Sequence, residues 1–131
     1  MAREFGVSTV VYNPLAGGLL TGKHHRAKPI SGTRFDKNQL YLDRYWRPAS
    51  FDAVDRLGGI ASQAGRGLVS LSLNWLLHHT SIDCVILGAS RLEQLEENLR
   101  AIEEGPLPGD ALAACDAVWS DLRGVTPKYN R

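Results

Sequence analysis

The stretch DCVILGASRLEQLEENLRAI, residues 83–102, passes from a short apolar run straight into a helical pattern. Residues 84–87 are apolar without alternation, which predicts a strand buried on both faces. Over residues 91–103, Leu92, Leu95, Leu99 and Ile102 recur on one helical stripe, so a helix follows within a few residues of the strand. Its first turn carries Ser90 and Arg91. A helix start exposes unpaired N–H groups and a partial positive charge, so a guanidinium there is disfavoured until an anion joins it. Ser90 and Glu93 also fit an S-x-x-E capping box, which would account for Ser90 without any ligand but leaves Arg91 unexplained.

Upstream, residues 5–12 (FGVSTVVY) read as a first strand, β-branched, buried on both faces and preceded by the tail of a helical element. Residues 13–50 are rich in Gly, Pro and basic side chains, a long functional loop with a short helix of its own around 39–46. Ser50 is placed to cap a helix whose apolar positions are Phe51, Val54, Leu57, Ile60, Ala61 and Ala64, despite Gly58 and Gly59. A second helix over 68–79 is apolar on most sides and should be buried. The final one, 110–123, would bury Leu112, Cys115, Trp119 and Leu122.

Two strands joined by so long a link of loop and helix form a parallel, right-handed crossover. Two parallel strands cannot close a sheet, whereas a (β/α)8 barrel needs eight strands in about 250 residues. The organisation is therefore that of an α/β chain carrying about two barrel strands plus helices, one domain over residues 1–131 and incomplete alone.

Composition narrows the function. The 131 residues are 44% apolar with net charge +1, enough for a core and no basic field for nucleic acid. No run of about eighteen apolar residues is present to span a membrane, and MAREFG lacks the apolar core of a secretion signal, so a cytoplasmic chain is expected. Cys84 and Cys115 fall on apolar stretches and read as reduced core residues. The pairs His24–His25 and His78–His79 lack the i,i+4 spacing that aims two imidazoles at one metal.

The chemistry gathers in two loops. After the first strand, YNPLAGGLLTGKH (residues 12–24) places Gly17 and Gly18 where the backbone can approach a flat or anionic ligand. Gly17, Gly22 and Lys23 stand at the spacing of a nucleotide-triphosphate loop. His24 replaces the Ser or Thr that Mg²⁺ requires, Pro29 opposes an immediate long helix, and the second strand ends without an acidic ligand. In the second loop, Gln94 and Asn98 continue from Ser90 as a polar edge opposite the leucines, suited to a base or ribose. Ser90, Arg91 and the free N–H groups with those amides describe a site for an adenosine 2′-phosphate.

YNPLAGGLLTGK, YLDRYW, LNWLLHH, VILGASRLEQLEENL, EGPLP and PKYNR occur in this order along essentially the whole chain, which resembles the C-terminal portion of an aldo-keto reductase, in the aflatoxin-aldehyde reductase branch. The resemblance implies a TIM-barrel enzyme that reduces aldehydes or ketones with NADP(H). It further implies that Asn13, Pro14, Leu15, Gly17 and Gly18 line the pyrophosphate and nicotinamide-ribose side under a loop with Lys23 and Arg34. Tyr12 would stack on the nicotinamide, and Ser90, Arg91, Gln94 and Asn98 would hold the 2′-phosphate and adenine. Tyr41, Arg44 and Arg131 resemble substrate-positioning residues, suited to aldehydes bearing a carboxylate. The family's catalytic Asp, Tyr, Lys and His have no counterpart here, so no residue is assigned as catalytic. The partners implied are a small carbonyl substrate and the N-terminal part of the barrel, with a homodimer also allowed. The alternative is a non-catalytic NADP-binding remnant or a barrel subunit that binds a partner.

Overall fold

Val10–Tyr12 (β1) and Cys84–Ile86 (β2) pair in parallel in the computed structural model, which describes residues 2–123. The register sets Val10 opposite Cys84, Val11 opposite Val85 and Tyr12 opposite Ile86. The Thr9 carbonyl accepts from the Asp83 and Cys84 N–H groups, and the Thr9 N–H donates to Asp83 Oδ2 at 2.6 Å, which ties the start of the ladder. The first strand is shorter than residues 5–12. Arg3–Phe5 form a 3-10 turn and Gly6 adopts a left-handed φ of 63°, so extended pairing begins only beyond it.

Between the strands come a 3-10 segment, Ala16–Thr21, and helices α1 (Gln39–Tyr45), α2 (Pro48–Gln63) and α3 (Leu68–His79); α4 (Leu92–Glu103) and α5 (Gly109–Leu122) follow β2. The short helix expected around 39–46 is present, capped by the Asn38 side chain, which accepts from the Tyr41 N–H. Helix α2 starts earlier than expected. Pro48 occupies its first turn, where a fixed φ and a missing N–H cost nothing, and Arg47 rather than Ser50 is its N-cap. It runs unbroken through Gly58 and Gly59 because Phe51, Ala53, Val54 and Ala61 are buried along its inner side.

Three apolar clusters hold the layer together. Leu19, Phe35, Phe51 and Val54 bind the long loop to α2, while Ala61, Leu71, Leu107 and Cys115 join α2, α3 and α5. Val69, Leu73 and Ala101 join α3 to α4. Fully buried Asn74 adds a polar tie across that last contact, its Nδ2 donating to the Ala101 carbonyl at 2.6 Å and to the Ser70 carbonyl at 3.1 Å.

Several residues expected inside are outside. Val10, Tyr12 and Ile86 are each more than half exposed, and Cys84 is exposed on the same side of the sheet. The leucine stripe of α4 is also open, with Leu92 66% and Leu99 50% exposed. Both departures have one cause: a two-stranded sheet has no further strand on its flanks, and among the described residues nothing lies over the side of α4 facing away from α3. Trp119 is likewise half exposed, beside Trp75 on the outer rim of the helical layer.

Candidate cofactor-binding site

Parallel pairing sends the chain out of β1 and β2 at the same end, so the Asn13 loop and the Gly88 loop emerge side by side. That end is where barrel folds bind phosphates. Asn13, itself at a left-handed φ of 59°, folds the first loop: its Oδ1 accepts the Gly17 N–H and its Nδ2 donates to the Tyr45 hydroxyl, both at 2.7 Å. Gly17 and Gly18 follow with φ of 71° and 100°, in a 3-10 segment that they kink. A Cβ on Gly17 would stand 2.8 Å from Cδ1 of Tyr41, so the tyrosine ring closes directly over a position only glycine can fill.

A second side chain spans the two loops. Arg34 lies 3.4 Å from the Tyr41 hydroxyl through Nη1, while its Nη2 comes within 3.1 Å of where a Cβ on Gly88 would be. Gly88 is thus part of the site, although only the pattern of a strand followed by Gly, Ala and Ser hinted at it. Lys23 is exposed beside this turn, and Tyr12 projects from the open side of the sheet with 60% of its surface accessible. Pro14 and Leu15 are half-buried, Leu15 against the Val69 and Leu73 cluster.

At the second loop the capping box is not formed. Arg91, extended at φ −140° and ψ 151°, is the N-cap of α4, with no side-chain cap hydrogen bond. Ser90 sits one residue earlier, and its N–H and Oγ both donate to Gln94 Oε1 at 3.1 Å. Among the described residues, the first N–H groups of this twelve-residue helix lack a side-chain acceptor, and the exposed Arg91 guanidinium forms no ion pair. Asn98, further along α4, is buried at 5% exposure. Helix N–H groups without a side-chain acceptor and a guanidinium without an ion pair, both among the described residues, fit the phosphate of a nucleotide.

Arg44 lies over the Tyr45 ring at 6.0 Å, and Tyr41 is committed to the Gly17 contact. Arg131 lies outside the described residues. An apolar cavity of about 530 Å³, lined by Leu20, Leu57, Trp75 and Trp119 among others, reaches Pro14 of the first loop and Arg44 of α1 but not Ser90 or Arg91. No group of three or more His, Cys, Asp or Glu among the described residues could hold a metal ion. None of their helices is long and apolar enough to cross a membrane.

Two parallel strands whose following loops emerge at one end, each leading into helix, define the class as βα barrel-like. The aldo/keto reductase family matches residues 1–120, and the chain belongs to that family. An aldo-keto reductase of Pseudocercospora fijiensis is 36% identical over 97% of this chain and 46% of its own length. Aflatoxin B1 aldehyde reductase member 2 of Mus musculus is 40% identical over 98% of this chain and 39% of its own. An apo aldo-keto reductase of Bacillus halodurans superposes with a TM-score of 0.58 and 27% identity, over 89% of this chain and 36% of that one. The chain thus spans less than half the length of the relatives it matches, and its two parallel strands and helices are part of a TIM barrel, not a closed one.

Proposed function

We propose that this chain supplies the cofactor-binding half-site, and part of the substrate pocket, of an NADPH-dependent reductase of aldehydes and ketones. The observation that carries the reading is Arg91: an exposed, unengaged guanidinium at the uncapped start of α4, opening on the same end of the sheet as the Gly17–Gly18 turn. Ser90, Arg91 and the α4 N–H groups would hold the 2′-phosphate, with Gln94 and Asn98 toward the adenine. The first loop, with Asn13, Pro14, Leu15, Gly17, Gly18, Lys23 and Arg34, would hold the diphosphate side. Tyr12 would lie against the nicotinamide. NADPH, when bound, supplies a hydride for the carbonyl carbon.

This chain's own residues bind and orient; they do not provide the acid. A carbonyl oxygen that gains a hydride's negative charge needs a proton donor of tuned pKa, and the family's tyrosine with its Asp, Lys and His is not found in these residues. Tyr41, Arg44 and Arg131 would position a substrate, the arginines favouring one with a carboxylate. Catalysis would then require the N-terminal part of the barrel, lying over the exposed Val10, Tyr12 and Ile86 side of the sheet. The test is to assay NADPH oxidation with small aldehydes for the 131 residues alone and for a fusion with a family N-terminal part. The expected outcome is no turnover alone and turnover in the fusion. An inactive fusion that still binds NADPH would instead favour the non-catalytic, partner-binding alternative, to which the open apolar side also lends support.

A further inference from the structure

His24 follows Lys23 in the first loop and has no role in the cofactor reading above. It is 5% exposed, and among the described residues neither ring nitrogen has a hydrogen-bond partner. The ring packs edge-to-face with Phe35 at 4.9 Å and with Trp46 at 5.6 Å. Its Nε2 also lies 4.0 Å from where a Cβ on Gly18 would stand. One imidazole therefore supports both the aromatic centre of the loop and the underside of the Gly17–Gly18 turn.

A neutral imidazole can occupy such a niche as a small aromatic ring. An imidazolium brings a full charge and two N–H donors to a place that offers no acceptor. Among the described residues, the elements packed around it offer no unengaged carboxylate: on α1, Asp43 accepts from the Gln39 side chain, and Arg44 and Arg47 beside Trp46 are cations. Its own segment contributes Lys23, His25 and Arg26, and Arg26 holds both nearby carboxylates of α2, Asp52 and Asp55. The Phe35 segment contributes Arg34 and Asp36, whose carboxylate already accepts from the Gly32 N–H and the Ser31 hydroxyl. The turn of Gly17 and Gly18 carries no charge, and at the end of α1 the Trp46 indole N–H donates to the Arg26 carbonyl. Burial first, then the fields of Lys23 and His25, hold the His24 pKa below its ordinary value.

We infer that His24 is a proton-linked latch on the glycine turn: neutral, it wedges between Phe35 and Trp46 beneath Gly18, and once protonated it leaves the niche and releases the turn. The inference does not depend on what the turn binds, and it makes the hold on any ligand there weaken in acid.

Histidine-resolved NMR titration of the whole chain between pH 4.5 and 8 tests it, with the Gly17 and Gly18 amides and the Trp46 indole followed in the same samples. His24 is expected to titrate below the ordinary histidine value of 6.5, and the glycine and indole signals should move with it. His24→Phe keeps a ring without a proton site and should abolish that acid transition; His24→Gln, should the Phe variant not fold, should abolish it too. Titration of His24 at or above the ordinary histidine value of 6.5, glycine signals indifferent to it, or an acid transition surviving in either variant would each overturn the latch.

Discussion

Replacing Arg91 by Ala in a barrel completed by fusion separates a phosphate site from an ordinary helix start. Among the described residues the guanidinium is exposed and without a partner, so its removal leaves no buried group of theirs unpaired and should barely alter stability. Toward a 2′-phosphate dianion it would lose a charge-assisted contact, worth about 1.5 to 3 kcal/mol. Solvent screening at this exposed position argues for the lower half of that range, roughly ten- to fortyfold in Kd. NADH lacks the 2′-phosphate and should weaken by less than about threefold on the same scale. Fluorescence titration with each cofactor, at low and at high salt, measures both. The gap should narrow with salt, because an exposed ion contact is screened within a Debye length of about 10 Å at 0.1 M. Arg100→Ala is the control: Arg100 lies on the same helix, beside Glu96 at 3.4 Å and far from its start, and should change neither affinity. Equal loss for NADPH and NADH on Arg91→Ala would refute the assignment of the 2′-phosphate to this helix.

Gly17→Ala should destabilise the chain by about 2 to 4 kcal/mol in urea unfolding, since the left-handed φ costs about 1 to 2 and the overlap with Tyr41 adds to it. Gly6→Ala, at a similar φ in open space, should show only the backbone part. With a thiol reagent at pH 8, Cys84 should react first, being exposed, while buried Cys115, its pKa pushed up to about 11 by burial and then by Asp116, should react only on unfolding; two equally fast thiols would contradict this packing. Unfolding measured against pH should show His24's contribution complete above about pH 6.5, its ordinary value in the unfolded chain, and lost as pH falls toward the lower folded value. The unfolded state takes up the proton first, so stability falls with acid; a contribution that grew on acidification would reverse the sign and exclude the buried neutral ring.

Much of the layout was legible because it depends on local chemistry. The limits of Leu68–His79 follow from a glycine before and an unbroken apolar pattern within, and the short helix Gln39–Tyr45 from an Asn cap inside a loop otherwise rich in Gly and Pro. Burial was less legible, because it depends on neighbours. The pattern of Val10, Tyr12 and Ile86 suits a strand covered on both sides, and Leu92, Leu95 and Leu99 suit a covered helix face; in both cases the described residues leave that apolar surface uncovered. The capping box failed for a local reason: Gln94, one residue past the expected Glu93, reaches Ser90 first and leaves Arg91 as the cap.

That failure strengthens the site instead of weakening it. Had Ser90 capped α4 in the usual way, one helix N–H would be satisfied and Arg91 would be a poorly placed cation inside the first turn. With Ser90 turned back to Gln94, the N–H groups stay open and Arg91 stands at their edge, so that the same substitution pattern that costs a free helix stability favours a dianion. The first loop shows the same economy. Asn13 spends its whole amide on holding Gly17 and Tyr45, and Tyr41 closes over Gly17, so the turn is shaped before any ligand arrives. One loop is rigid through its internal bonds and the other is left with unspent donors; Arg34, reaching from Tyr41 to Gly88, is the side chain that couples them. Under the proposed reading, a site divided in this way would hold a long, anionic ligand at both ends, with the uncovered side of the sheet left for the parts that supply the chemistry.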